Sequence, residues 1–342
     1  MSGIGLAGVG AVSPAGWGVP ALRDALERGT PLPATPVARR GGNGTLPVHE
    51  VPRLLPAPSW MTHPRLRRAS AITQYAVSAV IEARTMAGEA PESSTRLGLI
   101  LCLLSGCVQY TERFFAEVLR DPPSASPLLF PETVFNAPAS HVAAVLGQPP
   151  LTCTLLGDPA VFLQGLELAA QWLIEERVHE CFVVGAEETN WLLADALAQF
   201  DPHLEPAGGA GAILLGASPE RPLGVELCQV TDLEVYTRQQ PRDVAAHRMR
   251  ALLPPGAADE LLCDSRLGCA RLDAVEATAW RDWPGTRSSP KQVLGEGLMA
   301  ASAWQCVAAV DALRGDRYRA AHVSVVGQTE AAAGARFARA RT

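Results

Sequence analysis

The chain has 342 residues, of which 48% are hydrophobic and 19% charged, and its formal net charge is −6. This is the composition of a well-buried globular protein and excludes a disordered one, while the length favours two domains or two tightly packed halves. Lys and Arg are scattered without a basic block of the kind that neutralises phosphates, so nucleic-acid binding is not indicated.

Residues 3–12 read as a buried, glycine-interrupted strand, Ser13 to Gly16 as a turn, and Val19 to Glu27 as a short amphipathic helix ended by Gly29. The Pro- and Gly-rich stretch 30–68 has weak periodicity and reads as a surface excursion. Apolar residues at helical spacing from Ile72 to Ala83 predict a helix over 70–88, and the run Leu97 to Leu104 predicts a central parallel strand. An irregular segment follows, then Ala139 to Leu146, a strand over Leu151 to Leu155, a helix over Pro159 to Glu176 and a buried strand over Glu180 to Gly185. Near Asp201 to Gly211 the pattern restarts. Ala212 to Leu215 and Leu261 to Cys263 read as strands, 270–282 and 296–314 as helices, and 322–326 as a strand. Strands alternating with helices imply an α/β protein with parallel sheets covered on both faces, in two halves of similar plan at 1–205 and 206–342.

The eight cysteines (102, 107, 153, 181, 228, 263, 269 and 306) form no Cys-x-x-Cys pair and read as buried free thiols. Neither a metal site nor a cofactor is expected. Residues 1–20 carry no basic stretch followed by an apolar core, and no run approaches the roughly 20 apolar residues that span a bilayer. A cytoplasmic protein with no membrane partner is therefore expected. The N-terminal glycines run Gly5-x-x-Gly8-x-Gly10 inside the strand, which is not the Gly-x-Gly-x-x-Gly of a dinucleotide site. Of the seven histidines (49, 63, 141, 179, 203, 247 and 322), His179 and His247 follow Glu175 and Asp243 at helical spacing and read as surface pairs. Asp158-Pro159 reads as a helix start, with Asp158 as N-cap and Pro159 at the first helical position.

Four segments, taken together and in order, resemble the β-ketoacyl-acyl-carrier-protein synthase (ketosynthase) family. They are Ile4 to Gly16, Phe130 to His141, Val183 to Glu187, and Phe200-Asp201 followed by Gly208 to Leu215. The resemblance implies the thiolase fold, a five-layer αβαβα arrangement of two related halves, with a dimeric assembly. It also implies a chemistry in which a cysteine thiolate at a helix N-terminus takes the acyl group, two histidines assist decarboxylation, and backbone N–H groups hold the oxyanion.

On that resemblance the cysteine position falls on Pro159, with Asp158 or Gly157 a small register shift away. The first histidine falls on Ser265, anchored by Asp273 and Glu276 at the family's acidic positions. The second falls on Glu296, with Lys291 and Gly295 retained. The family's gating Phe becomes Val326, followed by Gly327. Proline supplies neither a nucleophile nor an N–H, and serine and carboxylate do not replace two imidazoles. Cys153, in the strand ahead of Pro159, reads as a core thiol.

A catalytically silent member of this kind implies a chain-length-factor-type subunit of a type II polyketide, aryl-polyene or related system. Such a subunit would heterodimerise with an active ketosynthase and meet an acyl carrier protein through the complex. Pro159, Ser265 and Glu296 would then line a vestigial pocket with Asp158, Lys291, Val326 and Gly327. Known chain length factors usually carry glutamine at the cysteine position, so proline departs from that subgroup as well. Two other readings stay open: an acyl- or carrier-binding homodimer, and an enzyme with repurposed acyl chemistry on Asp158 and Glu296.

Overall fold

The structure, a computed structural model, describes residues 4–67, 69–88, 96–147, 150–216 and 223–340. Ten strands form the body of its sheet. They are β1 (Ile4–Ser13), β2 (Leu97–Leu103), β3 (Leu151–Leu156), β4 (Glu180–Glu187), β5 (Gly209–Gly216), β6 (Val225–Val230), β7 (Glu260–Cys263), β8 (Thr286–Ser288), β9 (Ala320–Val326) and β10 (Ala331–Arg339). The helices are α1 (Val19–Arg28), α2 (Ala71–Met86), α3 (Val108–Arg120), α4 (Ala137–Leu146), α5 (Val161–Ile174), α6 (Trp191–Phe200), α7 (Arg242–Leu252), α8 (Ala270–Ala279), α9 (Pro290–Leu294) and α10 (Met299–Arg314).

The first five strands lie in the order β1-β5-β4-β2-β3 and the second five in the order β6-β10-β9-β7-β8. In each set the first two contacts are antiparallel and the last two parallel. The chain thus runs through the same topology twice. The sets join where β1 meets β6, with Ile4 opposite Leu227 and Gly5 opposite Glu226. On this strand order we place the seam of the halves between Gly216 and Val225, later than residue 205, because β5 closes the first set.

Five layers follow from what packs on each face. Helices α2 and α4 share a core with the outer face of the first set, including Leu99, Leu101 and Val184. Helices α7 and α8 lie with Trp280 and Trp283 against Leu262 and Val326 of the second. Between the sets runs the largest core, built around α5 and α10. Helix α10 is buried on nearly every side, which its apolar sequence with Ser302 and Gln305 allows; a helix apolar all round belongs in a protein interior. A Cβ on Gly8 or Gly10 of β1 would collide with the carbonyls of Ala83 or Ala79 of α2. The N-terminal glycines serve close helix–sheet packing.

The predicted elements from β1 to α2 and from β2 to β4 are found within about two residues. Helix α3 occupies the stretch read as irregular, although Tyr110, Phe114 and Val118 recur every four residues and signal it. Helix α6, helix α7 and strands β6, β8 and β10 were also not foreseen. The alanine-rich β10, Ala331 to Arg339, has a helical composition, and its strand state is imposed by β9 and β6 on either side.

Candidate functional site

Four chain segments carry the residues singled out in the sequence: the β3–α5 turn, the loop after β7, the α9–α10 link and the β9–β10 hairpin. Helices α5 and α10 begin against one another because Gly185 at the end of β4 has no side chain; Phe162 and Met299 both press on it.

The helix after β3 starts at Val161, two residues beyond the sequence expectation, because the chain first makes a tight turn. Within it Val161 N–H donates to Asp158 O at 2.8 Å, Phe162 N–H to Pro159 O at 3.2 Å and Leu163 N–H to Ala160 O at 3.1 Å. Asp158 is buried and caps this turn, one oxygen accepting from Ala160 N–H at 3.2 Å. Its other oxygen accepts from Thr329 N–H at 3.3 Å, Thr329 Oγ1 at 3.0 Å and Glu330 N–H at 3.0 Å. Gly327 is glycine because a Cβ there would collide with the Asp158 carboxylate. Asp158 therefore fastens the β9–β10 hairpin to the start of α5. The N–H groups that could receive an oxyanion are absent at Pro159 and occupied beyond it.

Ser265 follows β7 and is equally enclosed. Its N–H donates to Glu276 at 3.1 Å and its Oγ to the same carboxylate at 2.7 Å, while Val326 N–H donates to Ser265 Oγ at 3.0 Å. Ser324 Oγ also donates to Glu276, and Trp280 Nε1 donates to Ser324 Oγ at 2.9 Å. Burial first, and the charge of Asp264 second, push the Glu276 carboxyl up to about 7. Val326 is buried in β9, and Arg242 donates to the carbonyls of Val326 and Gly327, which fixes the hairpin from the outer layer. Asp273 accepts from Leu267 N–H and Gly268 N–H, both at 2.8 Å, and shapes the loop that carries Ser265.

Glu296 lies in the link between α9 and α10, where Lys291 Nζ donates to it at 2.7 Å with both side chains buried. Its second oxygen accepts from Leu298 N–H at 2.9 Å. Leu298 has φ 49° and Gly295 φ 87°, so the link is a sharp double turn. Glu296 N–H donates to Glu205 O and Ala207 N–H to Glu296 O, tying the link to the segment before β5. His49 joins the same patch, its Nε2 3.0 Å from Glu205 and its ring over Gly295.

The structure thus brings Asp158, Ser265, Val326 and Gly327 into one hydrogen-bonded unit and holds Lys291 and Glu296 as a separate buried ion pair. The oxygens of Asp158 and Glu296 all accept from other partners. Cys153 lies half-buried on β3 and packs against the central core. The wider cavities are lined elsewhere; one, of about 420 Å³, lies between α1, α10 and β8.

The remaining histidines are dispersed. His141 sits 2.9 Å from Glu132, and His322 is enclosed by Trp280 and Trp283, with burial lowering its pKa to about 4. The two expected helical surface pairs are absent. His179 lies beyond the end of α5 and meets Arg96, and His247 contacts the main-chain oxygen of Asp243. Among the described residues no three metal-binding side chains cluster, and no helix is long and apolar enough to cross a membrane.

No family model matches the sequence, and no curated protein matches it. Solved structures do match. The ishigamide ketosynthase/chain length factor aligns with TM-score 0.79 and 21% identity over 99% of this chain and 100% of that one. A β-ketoacyl synthase from Burkholderia phymatum STM815 aligns with TM-score 0.80 and 16% identity over 100% of both chains. A ketosynthase in complex with its chain length factor from Xenorhabdus doucetiae gives TM-score 0.80 and 13% identity over 99% of this chain and 98% of that one. With its doubled strand order and two central helices, the chain has the thiolase fold of ketosynthases and chain length factors.

Proposed function

We propose that this protein is a non-catalytic ketosynthase-like subunit of the chain-length-factor type, which pairs with an active ketosynthase. The observation that carries the reading is the state of the three positions that the resemblance assigns to the catalytic residues. Pro159 has no nucleophile, and the oxygens of Ser265 and Glu296 are held by Glu276, Val326, Lys291 and Leu298. A serine hydroxyl and a lysine-paired carboxylate do not supply the two imidazoles that the family's chemistry uses. The same occupancy at Asp158 and Glu296 counts against repurposed acyl chemistry there.

The need for a partner is supported by the surface. Among the described residues strand β3 is an edge strand, paired only with β2, and its Leu151 and Leu156 are exposed. Helix α3 has no buried residue, and its Phe115 and Leu119 are 59% and 72% exposed. Leu128 and Phe130 are also exposed in the segment that follows. An open strand edge beside such a surface is a liability in an isolated chain and an asset at an interface. In this reading the ketosynthase supplies the chemistry, this subunit completes the dimer, and the acyl carrier protein meets the pair.

Co-expression with the ketosynthase encoded nearest to it, followed by affinity purification and light scattering, tests the proposal. A one-to-one complex is the expected result. A soluble homodimer that ignores the ketosynthase would refute it and favour an acyl- or carrier-binding homodimer.

A further inference from the structure

The cleft of about 420 Å³ between α1, α10 and the sheet edge at β8 lies outside the hydrogen-bonded unit of Asp158 and Ser265 and the Lys291–Glu296 pair, although Arg266 comes from the loop that carries Ser265. Its size falls within the range of small-molecule pockets. One wall is apolar, formed by Leu22 and Leu26 of α1, Ala308 of α10, and Val293. The lining also carries two ion pairs, Arg23 with Asp311 at 2.6 Å and Arg317 with Glu27 at 2.8 Å.

The opposite end is different. Arg266 lines the cleft with its Nε on Asp264 at 2.7 Å and its Nη2 on Ser289 Oγ at 3.3 Å, which fixes the guanidinium and leaves N–H groups over. Asp264 is fully buried behind it and lies 4.0 Å from Arg287 as well, so two guanidiniums share one carboxylate. Burial first, and the charge of Arg266 second, lower the Arg287 pKa. Gln292, half-buried and with its N–H on Ser289 O at 3.0 Å, lines the cleft beside Arg266.

From this juxtaposition of an apolar wall with a fixed arginine and an amide at one end, we infer that the cleft binds a straight apolar chain ended by a carboxylate. The chain would lie along α1 and α10, and the carboxylate would take hydrogen bonds from Arg266 and Gln292. A charge-assisted contact of this kind selects an anion over an alcohol of the same length. This site is independent of the pairing role proposed above.

Calorimetric titration of the full chain with decanoate and with 1-decanol tests the inference. Decanoate should bind at least about tenfold tighter than decanol, and Arg266→Gln and Gln292→Leu should each weaken decanoate about tenfold while leaving decanol unchanged. Ala308→Phe should fill the wall and abolish binding of both. Should that variant fail to fold, Thr286→Trp on the exposed edge strand fills the cleft from the other side. Equal binding of acid and alcohol, or decanoate binding that survives a folded cavity-filling variant, would overturn the assignment.

Discussion

At the scale of single residues, the carboxylates of the candidate site behave in two ways. Glu276 is enclosed without a cation in contact and is pushed up to about 7, whereas an unfolded glutamate titrates near 4.3. The folded state therefore holds the proton more tightly than the unfolded state. The stability this contributes is complete below about pH 4.5 and is lost as pH rises through about 7. Glu276→Gln, which keeps an acceptor for Ser265 and Ser324, should shrink the difference in melting temperature between pH 5.5 and 8. An unchanged pH profile would show that another group sets it. Glu296 instead has Lys291. Lys291→Met should destabilise by about 3–5 kcal/mol in urea unfolding, because it strands a buried charge. The double variant Lys291→Met, Glu296→Leu should recover most of that loss, since replacing a buried pair by apolar groups is often neutral or better. Recovery of nothing would mean that the Leu298 N–H contact dominates.

At the scale of elements, the division between what the sequence shows and what it hides follows the physics of each segment. Helix α2 and strands β2 and β4 are apolar in the right period and were read correctly from it. Helix α7 and strand β10 lack such a pattern; β10 is a strand because two neighbours bond it on both sides. The loss of a nucleophile at Pro159 is legible in one dimension. That the oxygens of Asp158 face a hairpin more than 160 residues away is not, since nothing local to either segment encodes the other. The glycines of β1 are a middle case: their spacing stands out, but the partner that requires them is α2. Gly10→Ala should therefore destabilise by about 1–3 kcal/mol through overpacking against Ala79. The same change at Gly44, whose Cβ would meet open space, carries only the cost of its positive φ. Chemical denaturation of the two variants separates packing from backbone strain.

At the scale of the whole molecule, the two halves share a topology, but their edges differ. Strand β8, with three residues, is short and lies beside the cleft, whereas β3 is twice as long with exposed leucines. Pairing through β3 predicts that Leu156→Lys abolishes the complex with the ketosynthase. The stability of the chain itself should shift by no more than about 0.5 kcal/mol, the usual range for an exposed position. Retention of the complex would place the interface elsewhere. The position of β1 has one more consequence. Apart from the two-residue pairing with Gly16–Trp17, its sheet neighbours are β5 and β6, some 200 residues downstream. At about 5–20 residues per second, roughly 10–40 s pass before either neighbour exists. During that interval Ile4 to Ser13 is an apolar segment that can pair only with Gly16–Trp17 at its end, and protecting nascent chains through it should decide how much of the protein reaches its native sheet.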